Sequence, residues 1–322
     1  MPFSVALCTY NGAAYIVEQL HSIVTGSVPP CQIVVCDDRS PDDTARIVAD
    51  FAASCAVPIE LHVNDVNLGY VRNFEKAVSL CREPIVFLSD QDDIWASDKA
   101  ATILTRFADP AIGGVFSDAM LAHADLSPMG MTMFSRLLSR KHRKQLLSGD
   151  PDTVFRFLLL RPIVTGATLA FRRSLINDLL PFPTSKFFIH DGWLALGIAA
   201  LSKLDVVERP LVTYRQHPQQ QVGLPKDDIA EADHRARYPT LRRDYARLYS
   251  ELATLLDHSD VRPGAHRVFR EAVEHNDLRL SLAKRRFGRP FAVLRDLVNG
   301  RYGRYSSGPL SAASDLIRPQ PS

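Results

Sequence analysis

Ile33-Val34-Val35-Cys36-Asp37-Asp38-Arg39-Ser40-Pro41 runs from four apolar residues straight into two carboxylates and then a proline. Three of the four are β-branched, which suits a strand covered on both faces, as in a parallel sheet. Asp37 and Asp38 then fall at the C-terminal edge of that sheet, where open α/β folds bind ligands. Ser40, Pro41 and Asp43 read as a helix start: a capping hydroxyl, a proline at the first helical position and a carboxylate matched to the dipole.

The same rhythm extends outward. Ser4 to Thr9, Ile59 to Asn64 and Ile85 to Ser89 are further strands. Helical patterns from about Ala13 to Val24, Pro41 to Ala53, Val71 to Cys81 and Asp98 to Phe107 lie between them, with Ser97 as a second cap. Alternation of this kind predicts an α/β class built on a mostly parallel, Rossmann-like sheet. Val86-Phe87-Leu88 runs into Asp90 and Asp92 just as the second strand runs into Asp37 and Asp38. Strand candidates at Gly114 to Ser117, Thr168 to Phe171 and Leu211 to Tyr214, with helices near Thr153 to Leu160 and Gly192 to Leu201, continue one domain over residues 1–223. Residues 224–322 form a helical, basic C-terminal appendage with a Pro/Ser-rich tail.

With 322 residues, 23% of them charged and a net charge of +2, the chain can bury a substantial core and shows no global attraction to nucleic acid. Five cysteines, at 8, 31, 36, 55 and 81, are odd in number and lack C-x-x-C spacing. A disulfide framework and a zinc ribbon are therefore not expected, and a cytoplasmic setting is. The start MPFSVALCTYNG reads as a strand and not as a secretory signal, and no apolar run approaches the roughly 20 residues that span a membrane.

Asp90-Gln91-Asp92 is a D-x-D on the turn after an apolar strand. Such a pair can aim two carboxylates at a hard cation, Mg²⁺ or Mn²⁺, that keeps positions for diphosphate oxygens. Alone, the motif is as well explained as a solvated acidic turn. Its neighbours add weight: Thr9-Tyr10-Asn11 ends the first strand, so an aromatic face, hydroxyls and carboxylates gather where a nucleoside would lie. A carboxylate can accept the imide N–H of uracil or thymine. The absence of G-x-G-x-x-G argues against a dinucleotide-dependent dehydrogenase.

C-T-Y-N-G at Cys8 to Gly12, D-D-R-S at Asp37 to Ser40, N-x-G-x-x-R-N at Asn67 to Asn73 and S-D-Q-D-D-I-W at Ser89 to Trp95 together resemble the inverting glycosyltransferases of family 2, fold type GT-A. T-G-A-T-L-A-F at Thr165 to Phe171, H-D-G-W at His190 to Trp193 and Y-R-Q-H at Tyr214 to His217 narrow the resemblance to bacterial rhamnosyltransferases that use dTDP-L-rhamnose. It covers the chain up to Gly223 and is more specific for fold than for sugar.

The resemblance implies Tyr10 and Asp38 at the base, Thr9 in support, Arg72 at phosphate or nucleoside, Asp90 at the ribose or a metal-bound water, and Asp92 on the metal. Asp93 is either a support for these groups or a cap on the turn. Asp191 matches the family's general base, with N-capping of the following helix as its alternative role. His190 stands where many relatives carry an acid and either pairs with Asp191 or packs. His217, flanked by Arg215, is a ligand for the metal or a contact to phosphate. Trp193 and Gly166 are assigned to the acceptor pocket, against core packing and a simple turn.

The expected activity is metal-assisted, inverting transfer of L-rhamnose from dTDP-L-rhamnose to a saccharide or glycolipid acceptor in polysaccharide synthesis. A family 2 transferase using a UDP-hexose and a silent nucleotide-sugar-binding protein remain as alternatives. Lys284, Arg285, Arg286, Arg289, Arg295, Arg301 and Arg304 interleave with Phe287, Phe291, Leu294, Leu297 and Val298, which raises peripheral membrane contact against the simpler reading of a solvated face. No RNA-binding module accompanies the basic run.

Overall fold

The computed structural model describes residues 1–161, 163–183, 189–220, 249–257, 260–282, 288–306 and 308–317. Strands β1 (Phe3–Thr9), β2 (Gln32–Asp37), β3 (Ile59–Val63) and β4 (Ile85–Ser89) pair in parallel in the order β3-β2-β1-β4. Helices α1 (Ile16–Val24), α2 (Thr44–Ser54) and α3 (Tyr70–Leu80) connect them.

The apolar runs divide by the two-residue period of a strand. Val5, Leu7, Ile33, Val35, Ile85 and Phe87 enter one buried layer with α1 and α2, while Ala6, Cys8, Val34, Cys36, Val86 and Leu88 enter the other with α3. Each buried aliphatic side chain contributes about 1.5–3 kcal/mol, so sliding one strand by a residue would forfeit both layers together.

Beyond β4 the sheet changes character. After β5 (Ile94–Trp95) and α4 (Lys99–Arg106) come β6 (Ile112–Ala122) and β7 (Pro128–Thr132). Next are α5 (Met133–Leu137), α6 (Arg140–Leu146) and α7 (Pro151–Leu160), then β8 (Leu169–Arg172), α8 (Ile176–Leu179), α9 (His190–Leu201) and β9 (Lys203–Arg215). The sheet continues β4-β8-β6-β9-β5 with β7 on β6; β8 is antiparallel to both β4 and β6, and β5 is antiparallel to β9. The result is a mixed sheet with helices on both faces, the GT-A-like α/β architecture.

Two helix starts differ from expectation. The helix after β2 begins at Thr44, because Ser40 is drawn to Asp37: its N–H donates to Oδ1 at 2.8 Å and its hydroxyl to Oδ2 at 2.6 Å. Pro41 thus lies in the loop before the helix. Ser97 is likewise no cap, since Asp98 occupies that position before α4 and its carboxylate takes Arg209 at 2.6 Å.

Helix α9 is buried nearly all round, between the sheet and helices from the C-terminal region. Residues 249–257 (α10) and α11 (Pro263–Ser281) place Leu252, Leu255, Ala265, Val268 and Ala272 in the same core as Leu194 and Ile198. Helices α12 (Arg289–Val298), α13 (Arg301–Tyr305) and α14 (Pro309–Ile317) build a smaller cluster around Tyr302. The expected boundary near residue 223, the basic helical pattern of 227–248 and the residues Lys284 to Phe287 lie outside the described residues. All five cysteines are free. Among the described residues no helix is long and apolar enough to cross a membrane.

Candidate active site

The C-terminal ends of β1, β2 and β4 are knitted together by side chains. Thr9 donates its hydroxyl to Asp37 Oδ2 at 2.7 Å, so both groups hold the strand ends in register. Asp38 accepts the amide of Asn64 at 2.9 Å, the N–H of Leu68 at 2.7 Å and the N–H of Gly69 at 2.8 Å. It thereby fixes the loop that starts α3, and Gly69, at φ +76°, supplies the left-handed turn. Arg72 on α3 is half-exposed and ion-paired to Glu75 at 2.5 Å, and Glu75 also accepts the N–H of Phe182 at 2.6 Å.

Gln91, the central residue of the D-x-D, was not singled out by the sequence. Its amide accepts the N–H of Tyr10 at 2.8 Å and donates to the carbonyl of Tyr10 at 2.9 Å. This reciprocal clasp locks the loop after β1 to the loop after β4. A Cβ at Gly12 would fall 2.2 Å from Gln91 Oε1, so the clasp requires glycine there.

Four carboxylates share one electrostatic neighbourhood. Burial, then Asp92 and Asp191, push Asp90 up to about 8, with Lys99 opposing. Asp93 is wholly buried and raised well above the usual range by desolvation, then by Asp92 and Asp90; its Oδ1 accepts the N–H of Arg215 at 3.1 Å and its Oδ2 has no hydrogen-bond partner. With Oδ1 taken by Arg215 on a distant strand and Oδ2 without a partner, it does not cap its own turn. Asp92 Oδ2 lies 2.8 Å from His217 Nε2.

Pairing of Ile94 with Thr213 and of Trp95 with Val212 brings His217 to Asp92 across the sequence. Arg215 secures the junction: it donates to the carbonyls of Asp92 and Ala124 at 2.8 and 2.7 Å and pairs with Glu18 at 2.5 Å. Its guanidinium is buried in these contacts, a structural hub and not a phosphate ligand.

Lys99 and Tyr214 are further residues that sequence reasoning passed over. Lys99 is fully buried, donates to the carbonyl of Ala167 at 2.7 Å and stands 3.6 Å above the Trp95 ring. Desolvation pulls its pKa down well below the usual range, against the pull of Asp93 and Asp90. The phenol of Tyr214 is pushed up by burial and then by Asp93, Asp90, Asp92 and Asp191, so it lies in the field of all four.

Asp191 is the second residue of α9, and Ile189 holds the N-cap position, so capping does not explain it. Its carboxylate accepts the N–H of Gly166 at 3.1 Å and of Gly192 at 2.6 Å. Burial raises it to about 6, against those two hydrogen bonds. His190 does not pair with it: the imidazole stacks on Phe74 at 4.0 Å, both ring nitrogens lack partners, and burial pushes it down to about 3. A neutral ring is thus the packed form.

Gly166 opens a short 3-10 turn, and a Cβ there would sit 3.2 Å from His190 Nε2. The close approach it permits is to His190. Trp193 corrects its assignment: it is 4% exposed, belongs to the main core and spends its indole N–H on the carbonyl of Leu179 at 2.8 Å. It is a core residue with no face free for an acceptor. Trp95 is likewise core.

Among the described residues no three His, Cys, Asp or Glu groups form a ready metal cage. The donor set nevertheless suits a hard cation. Mg²⁺ takes one or two carboxylates and completes its shell with phosphate and water, and neighbouring ligands on such an ion stand about 3 Å apart, close to the Asp92–His217 separation. Mutual repulsion among Asp90, Asp92 and Asp93, only partly offset by Lys99, is the field that a divalent charge would relieve.

The mixed sheet with Asp37, Asp38, Asp90 and Asp92 at the C-terminal ends of β2 and β4 is a fold of the GT-A type. The model of Glycosyl transferase family 2 matches residues 4–180, and the chain belongs to that family; it spans about three-fifths of the length of the first curated relatives it matches. It is similar to the O-antigen chain rhamnosyltransferase RfbN of Salmonella typhimurium, 24% identical over 195 residues, which cover 61% of this chain and 60% of that protein. The dTDP-rhamnosyl transferase RfbG of Shigella flexneri is 26% identical over 252 residues, 73% of this chain and 78% of that one. The crystal structure of S. aureus TarS 1–349 in complex with UDP-GlcNAc superposes with a TM-score of 0.57 at 17% identity, covering 100% of this chain and 82% of that one, which is a likeness of fold.

Proposed function

We propose that this glycosyltransferase moves L-rhamnose from dTDP-L-rhamnose to a saccharide or glycolipid acceptor with inversion, Asp191 acting as general base. The observation that carries the reading is Asp191 itself: a buried carboxylate held by two backbone N–H groups, raised to about 6, within the field of the D-x-D. A base poised near neutrality suits removal of a hydroxyl proton as the bond forms. The acceptor oxygen attacks the anomeric carbon, the bond from that carbon to the diphosphate oxygen breaks, and the acceptor proton passes to Asp191.

Asp92 and His217 are the residues that would hold Mg²⁺ or Mn²⁺, with Asp90 at the ribose or an outer water. The cation supplies neutralisation of the charge that grows on the departing diphosphate. Tyr10, half-exposed and clasped by Gln91, offers a face to the base. Asp38 Oδ2, which accepts the Gly69 N–H, retains a lone pair for a pyrimidine N–H, and Thr9 supports both through Asp37. Arg72 reaches phosphate if its pair with Glu75 opens. The machinery lies within residues 1–223, and the described helices from residue 249 onward buttress it.

The names of RfbN and RfbG support the rhamnose donor. The test is a panel of dTDP- and UDP-sugars with lysate glycolipid acceptors, read by mass spectrometry. Addition of a deoxyhexose from dTDP-L-rhamnose is the expected result; transfer from a UDP-hexose alone would replace the donor, and no transfer from any donor would favour the silent binding protein.

A further inference from the structure

Helices α12 and α14 pack on one another, yet each leaves an apolar row facing outward. On α12 the row is Phe291, Leu294 and Val298, exposed by 74%, 57% and 77%; on α14 Leu310 and Ile317 are exposed by 79% and 76%. On α12 the spacing of three and then four residues keeps the row on one helical face, and on α14 the two residues lie seven apart, about two turns, on one face as well. Scattered single apolar residues need no explanation, but five large ones exposed on two helices that pack together do.

The acids of these helices point the other way. Asp296 is buried against His275 Nδ1 at 2.9 Å, and Asp315 is buried against Arg279 Nε at 2.7 Å and the Tyr302 hydroxyl at 3.0 Å. The outward faces of α12 and α14 therefore carry no carboxylate, while Arg295 lies exposed beside the α12 row. Arg301 is ion-paired to Glu274 and Asp296, and Arg304 to Glu271, so among the described residues Arg295 is the cation this face presents beside the row.

From this combination we infer that the outward faces of α12 and α14 dock on an anionic lipid bilayer, the apolar side chains entering the headgroup–acyl boundary and Arg295 meeting lipid phosphate. Aromatic and aliphatic side chains on one face with cationic residues beside them and no acid among them is the chemistry of an interfacial helix. A second copy of the chain fits less well, because a symmetric contact would bring Arg295 near its own copy with no carboxylate on this face to meet it. The inference is independent of the donor and of turnover.

The test is flotation of the full chain with vesicles of phosphatidylglycerol and phosphatidylcholine, or of phosphatidylcholine alone, at about 150 mM salt, where surface charge is screened but not abolished. Binding at least tenfold greater to the anionic vesicles is expected. The triple substitution Phe291→Ser, Leu294→Ser, Val298→Ser should lower it at least tenfold with an unchanged far-ultraviolet circular dichroism spectrum. Arg295→Glu, which leaves the apolar row intact, should weaken it separately. Wild-type protein that stays with the lipid-free fraction, or a triple variant that floats as the wild type does, overturns the inference. So would a dimer, detected by light scattering without lipid, that the triple variant dissociates: that result assigns the surface to a second copy.

Discussion

Asp191 shows how one carboxylate acquires two tendencies. Burial alone would keep it protonated, and two backbone N–H donors restrain the rise, leaving it at about 6. A base works in its deprotonated form, so kcat/KM should fall about tenfold per pH unit below about 6 and level off above it. A profile flat from pH 4.5 to 8 would exclude Asp191 as the base. Asp191→Asn should reduce transfer by roughly 10²–10⁴-fold with nucleotide binding little changed, as read by calorimetric titration with the diphosphate. Asp92→Ala, which also strips His217 of its partner, should abolish the part of donor affinity that chelation removes from the wild type; equal affinity with and without chelator in the wild type would count against a cation at this site. Of these residues Asp191 and Asp92 were legible through their motifs. His190 was not, because a neutral ring stacked on Phe74 depends on a neighbour far away in sequence.

At the scale of elements, the loops after β1 and β4 act as a unit through the Gln91 clasp. Two hydrogen bonds of about 1 kcal/mol each tie Tyr10 in place, so Gln91→Ala should raise the donor KM roughly tenfold. Gly12→Ala should do the same, since its Cβ would strike Gln91 Oε1. In the Gln91→Ala background the obstruction is gone, so the second substitution should add little; full additivity in a double-mutant cycle would refute the clasp. The strands themselves were readable because continuous apolar runs state their burial locally. The helix starts were less so: Ser40 had two partners on offer, a helix N-terminus and Asp37, and tertiary placement of Thr9 beside Asp37 decided for the latter.

For the molecule as a whole, the C-terminal helices are not a detachable tail. Leu252, Leu255, Leu256, Val268 and Ala272 close the core over α9, the helix that carries Asp191. At about 1.5–3 kcal/mol for each larger side chain, their removal approaches the entire 5–15 kcal/mol stability typical of a domain. Deleting residues 249–322 should therefore abolish cooperative thermal unfolding by circular dichroism; a sharp transition in the truncated protein would show that residues 1–248 fold alone. For the same reason the lipid surface is better tested by substituting exposed residues than by removing residues 288–322 alone, which would strand His275 and Arg279 without Asp296 and Asp315.

Sequence by itself determined the parallel βαβ half, the placing of Asp37, Asp38, Asp90 and Asp92 at strand ends, and the family, since each rests on patterns a few residues long. Only tertiary structure decided that Trp193 is core, that Arg215 is a hub, that Lys99 lies under the carboxylates and that His217 meets Asp92. Those outcomes follow from β5 pairing with β9 and from α9 being covered on all sides. Contacts between distant segments are chosen by burial and hydrogen bonding in the assembled core, and no local run of residues records them.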